Sequence, residues 1–187
     1  MKAIWISTFA WLAAVTAALA FAVAGPSESS VMGRLPSFSA KRMDQQPISL
    51  PAGLPATRTL ALVTFHRAHR GEIDSWIQGL QLDHDTSIAW LRMPVINDPG
   101  NANARNDMEK ILLARHPGEK DRSRLVPLFT DRAAFIRAAG LSGIDHVGVL
   151  VLDRDGQVLA RVEGQFDQAK ATALRETLLA QNPVQGL

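Results

Sequence analysis

The chain has 187 residues, with 20 Lys and Arg against 18 Asp and Glu and a formal net charge of +2. Its cations are scattered and form no stripe, which leaves nucleic-acid binding without an electrostatic footing. It contains no cysteine, and this excludes disulfides, thiolate nucleophiles and Cys-bound zinc or iron–sulfur sites.

After Met1 and Lys2, residues 3–24 carry no charge and are rich in Ala, Leu, Val, Ile, Phe and Trp. The run is close to the ~20 residues that span a bilayer as helix, so it reads as an uncleaved anchor. Ala22-Val23-Ala24 before Gly25 equally supports a cleavable signal peptide. Either reading exports the remainder: membrane-anchored outside the cytoplasm, or periplasmic or secreted after cleavage. Residues 25–34 then form a tether, 35–181 the domain and 182–187 a C-terminal tail.

Within the domain, Leu35 to Leu50 is an extended lead-in whose prolines bar helix. Thr59 to Phe65 is a nearly unbroken apolar run, the pattern of a central strand covered on both faces. Ile73, Trp76, Ile77 and Leu80 recur at helical spacing and predict an amphipathic helix over 71–82. A second strand is expected over Ser87 to Met93, a loop over Pro94 to Asn103, and a helix with an apolar face at Ala104, Met108, Ile111 and Leu112.

Leu125 to Phe129 predicts a short strand, placed at a sheet edge by Pro127. A helix follows, capped by Thr130 or Asp131 and ended by Gly140. Val147 to Leu152 and Gln157 to Val162 flank an Asp155-Gly156 hairpin turn, and Asp167 caps a last helix. Strands separated by helices imply parallel pairing, and the hairpin adds one antiparallel strand. The expected fold is therefore α/β, a mixed central sheet with helices on both faces.

This order, with Gly143 to His146 and Asp155 to Val158, resembles the thioredoxin-like superfamily over residues 35–181, nearest its peroxiredoxin and thiol-reductase branch. Asp145-His146 ahead of a strand and Asp155-Gly156 after it are similar to the Sco copper-delivery family. Val147 to Asp153 is more loosely similar to the thioredoxin-like assembly factors of the mitochondrial ATP synthase. The resemblance puts the family's redox pair at His66 to Ile73, where no Cys stands, and its cis-proline near Val147-Gly148. Thiol–disulfide oxidoreductase and peroxiredoxin activity are thereby excluded.

In such a fold the loop after the first central strand and the loop before the hairpin share one end of the sheet. His66, His69 and His146 would meet there, and imidazoles ligate copper, zinc or nickel. Asp145 or Glu72 would add an oxygen donor or support a ligand from behind. Arg67 and Arg70 beside a helix start would attract an anion, partly neutralised by Glu72. The plainer reading makes His66 a partly buried packing residue, His69 solvent-exposed, the arginines solvated charges, and Trp76 and Trp90 core residues.

The function these features imply is a redox-inactive, envelope-facing module that binds another envelope or membrane protein and assists assembly. The alternative is a His-based metal-binding or delivery protein whose cofactor is a divalent metal; none is required by the sequence. An enzyme of cysteine-independent chemistry is the third class, and no residue set defines its reaction.

Overall fold

The computed structural model describes residues 32–180. The expected leader or anchor over 1–24, most of the tether over 25–34 and the tail over 182–187 lie outside the described residues. Among the described residues no helix is long and apolar enough to cross a membrane.

A two-stranded antiparallel hairpin comes first, β1 (Phe38–Lys41) with β2 (Pro47–Leu50). The chain then builds β3 (Arg58–Thr64), α1 (Arg70–Gly79), β4 (Trp90–Asn97), α2 (Ala102–Arg115), α3 (Glu119–Arg124), β5 (Leu128–Thr130) and α4 (Arg132–Ala139). It closes with β6 (Gly148–Asp153), β7 (Val158–Glu163) and α5 (Gln168–Leu179). The main sheet has the order β5-β4-β3-β6-β7, so the apolar run at Thr59 to Phe65 does form the middle strand.

Alternation along the strands divides the core in two. Ala61 and Val63 of β3, Leu91, Met93 and Val95 of β4, and Leu150 and Leu152 of β6 face Phe135 and Ala139 of α4 and the lead-in residues Leu35 and Leu50. On the other face Leu60, Leu62, Val149 and Val151 pack against Ile73, Trp76 and Leu80 of α1 and Ala171 and Leu174 of α5. Trp76 is fully buried, and its Nε1–H donates to the Gly164 carbonyl at 2.8 Å, so the indole's polar atom is satisfied.

Local chemistry sets the boundaries. Asp131 caps α4 by accepting from Ala134 N at 3.0 Å, and Gly140 ends it at φ +70°, a conformation that favours glycine. Asp167 caps α5 through the amides of Ala169 and Lys170. In the β6–β7 turn Asp153 accepts from the amides of Asp155 and Gln157, and Gly156 takes φ +78°. Outside β7, the lead-in adds a bridge from Arg34 to Gln157, with Val158 N donating to Gly33 O at 2.9 Å.

Three expectations are corrected. The strand that runs against its neighbours is β6, which pairs antiparallel with β3 from Gly148 opposite Val63; β7 pairs antiparallel with β6 in turn. After Gly140 the chain travels back to the end of the sheet where β3 finishes, so β6 starts at the end where a parallel strand would stop. Second, β4 continues through Pro94 to Asn97. Pro94 stands opposite Thr64 as the last pair of the β3 ladder, and the ladder to β5 begins at Val95, so the proline sits where one ladder ends and before the other starts. Third, α2 buries none of its residues: Ile111 is 49% exposed, and Met108 and Leu112 are only partly covered.

Candidate functional site

At the carboxyl end of β3 the chain passes through an extended His66 (φ −138°, ψ 155°) into a 3-10 turn, Arg67–His69, and from there into α1. The turn reverses the expected exposures. His66 points outward, as do Arg67 and Arg70, whereas His69 is 4% exposed. As the last residue of the turn, His69 folds back under it, and its Nδ1 accepts from the Phe65 amide at 3.5 Å. Its ring is also hydrogen-bonded to the Asp145 backbone. Accepting at Nδ1 leaves the proton of the neutral ring on Nε2. Burial lowers the His69 pKa below its ordinary value, against the opposing pull of Glu72.

Glu72 lies in the first turn of α1 and reaches the loop before β6. One carboxylate oxygen accepts from Val147 N at 2.8 Å and the other lies 3.1 Å from His146 Nδ1. Partial burial pushes this carboxyl up, but the Val147 amide and the His146 ring outweigh it and hold its pKa below the ordinary value. Val147 occupies the position where the thioredoxin-like resemblance places a proline, and its amide is the group that Glu72 takes up. The cis peptide bond among the described residues is instead Leu50–Pro51.

The two loops therefore do converge, through Glu72 with His146 and Val147 and through His69 with Asp145. The remaining candidates are arranged otherwise. His66 and His69 meet edge-to-face with centroids 5.7 Å apart, and Arg70 pairs with Asp74 of its own helix at 3.6 Å. His146 is committed to Glu72 and His69 to backbone groups. Among the described residues no group of three or more His, Cys, Asp or Glu side chains is arranged to hold a metal ion.

Beside this loop opens a groove of about 1320 Å³, running between α1, the exposed side of β4 and α2. Its floor includes Arg92, Pro94 and Ile96, and Met108, Ile111 and Leu112 form the α2 wall. Trp90 closes one part of the floor, its Nε1–H donating to Leu82 O at 3.0 Å and Arg124 stacked 4.6 Å from the ring centroid. His116 also lines the groove, and burial followed by the nearby Arg92 charge lowers its pKa. Arg92 was the residue to notice in the sequence, a lone cation inside the alternating strand Trp90-Leu91-Arg92-Met93-Pro94-Val95-Ile96.

A five-stranded mixed sheet with helices on both faces and a helix launched from the end of the central strand defines a thioredoxin-like fold, here without any cysteine. No protein-family model and no curated protein sequence matches the chain. Solved structures do. BsSco, a member of the Sco family of cytochrome c oxidase assembly proteins, superposes with a TM-score of 0.50 at 16% identity, covering 78% of this chain and 91% of its own. The N-terminal domain of PilB from Neisseria gonorrhoeae gives 0.51 at 15% identity, over 76% and 89%. A thio-disulfide isomerase from Thermus thermophilus gives 0.48 at 18%, over 80% and 98%. At these identities the likeness is one of fold.

Proposed function

We propose that this chain is a redox-inactive thioredoxin-like module, facing the cell envelope, that binds another protein and assists the assembly or maturation of a membrane complex. One observation carries the reading. The end of the sheet where the resemblance puts a thiol pair holds no thiol; it is cross-braced by Glu72 to Val147 and His146, beside an open groove. A braced surface without a nucleophile suits recognition better than covalent chemistry. The apolar residues 3–24 support export, and the likeness to an assembly protein of the Sco family supports the type of role.

The test is site-specific photocrosslinking of the full chain in membranes of the organism that makes it, with the reactive group at exposed Arg67. The expected product is one discrete adduct with a subunit of a membrane complex. A smear of abundant unrelated proteins, or recovery of the chain in the cytoplasmic fraction, overturns the reading.

A further inference from the structure

The groove beside α1 has an unusual charge arrangement. Arg92 projects from the middle of β4 between Trp90 and Pro94, is only partly exposed, and makes no side-chain hydrogen bond and no ion pair within 4 Å among the described residues. At the far end of the same floor, beyond Ile96, the Nε of Arg132 is buried without a hydrogen-bond partner. The nearby acids do not complete these guanidinia. Asp74, Asp121 and Asp83 act on Arg92 from beyond ion-pairing distance, Asp74 pairing instead with Arg70 and Asp83 with Arg124. Glu72 pairs with His146, and Asp145, which also lines the groove, forms no ion pair with an arginine among the described residues. Covering a guanidinium without an acceptor is costly, so an occupant of the groove that brings an acceptor to Arg92 is favoured over one that does not.

Apolar side chains stand among these cations on an otherwise mixed lining. Pro94 and Ile96 form the floor, and α2 presents Met108, Ile111 and Leu112, which nothing else in the described residues buries. The volume exceeds the ~300–1,000 Å³ usual for small-molecule pockets, and the site is a cleft partly open to solvent. A polypeptide segment fits both properties, since its alternating side chains place an acid on the arginine while neighbouring apolar groups fill the cleft.

We propose that this groove binds a segment of the partner protein in which an Asp or Glu is flanked by apolar side chains, with the carboxylate held by Arg92. The proposal rests on the protein-binding reading above and names the chemistry of what is bound. Charge complementarity at Arg92 and Arg132 selects this occupant: a basic residue there would meet the arginines, and a purely apolar one would leave them without an acceptor.

The experiment is selection of random dodecapeptides displayed on phage against the full chain in detergent micelles, followed by fluorescence anisotropy with the enriched peptides. Enriched sequences should carry an acid between apolar residues. Their affinity should fall about tenfold or more in Arg92→Met, which keeps the volume of the floor, and in Ile111→Asp, whose position is exposed; it should be unchanged in Arg154→Met on the distant β6–β7 turn. The proposal is overturned by failure of any sequence to enrich, by enriched sequences that lack an acid, or by binding indifferent to both groove variants. Concentration-dependent self-association abolished by Ile111→Asp would also overturn it, assigning the groove to a second copy. If Arg67 crosslinks to a partner while the groove results fail, the binding-module reading stands and only this inference falls.

Discussion

Glu72 accepts the backbone amide of Val147 at 2.8 Å although 75 positions separate them, and so fastens the first turn of α1 to the loop that enters β6. Val147 is itself fully buried, so its N–H has no access to solvent as a substitute acceptor. Glu72→Ala should therefore cost about 2 kcal/mol, the range for orphaning a buried donor. His146→Ala should cost under about 1 kcal/mol, because that ring is mostly exposed and its pairing is screened. Urea unfolding of the full chain, followed by tryptophan fluorescence, measures both.

Stability should fall as the solution is acidified from pH 7.5 to 5.5. The pKa values of His69 and His116 are lowered in the folded chain, chiefly by burial. Above about pH 6.5 both states hold these rings neutral; below it the unfolded chain takes up protons that the folded chain refuses, and the loss grows until the folded pKa values are passed. Glu72 acts in a lower window, its contribution full above the ordinary glutamate pKa and lost as pH falls through its lowered folded value. Replacing His69 by Gln should flatten the slope between pH 7.5 and 5.5 without abolishing it, since His116 remains. The check is the urea midpoint against pH for both chains.

Trp76→Phe should destabilise by about 1–3 kcal/mol. Phenylalanine fills most of the space between β3, β6 and α5 but leaves the Gly164 carbonyl without its 2.8 Å donor and loosens the edge contact with Phe166. The chemical-denaturation midpoint is the readout.

Ile111→Ser should change stability by no more than about 0.5 kcal/mol, because this position of α2 is half exposed and outside both core clusters. Leu112, one residue on and less exposed, should respond more. A thermal-melting comparison of the two serine variants tests whether the apolar face of α2 serves folding or the groove.

Much of the scaffold could be read from residues whose local chemistry agrees with the fold. The run Thr59 to Phe65, the caps Asp131 and Asp167, the stop at Gly140 and the Asp155-Gly156 turn each act within a few positions. The direction of β6 was not legible, because it depends on where the segment after Gly140 delivers the chain. Nor were the exposures of His66 and His69, which one 3-10 turn exchanges. That Glu72 and His146 share one end of the sheet followed from topology once the resemblance was drawn, whereas the bond from Val147 N to Glu72 did not. The groove did not, because Arg92 becomes meaningful only when α2 is seen to leave that side of β4 open.

The outer strands of the main sheet have a further consequence, for colloidal behaviour. At one margin β5 is three residues long and directly follows Pro127, and at the other the bridge from Arg34 to Gln157 already occupies the beginning of β7. A stray chain seeking to add itself as a sixth strand finds a short template on one flank and a partly taken one on the other, so fibrous polymerisation of the native state through strand addition is disfavoured even at high local concentration.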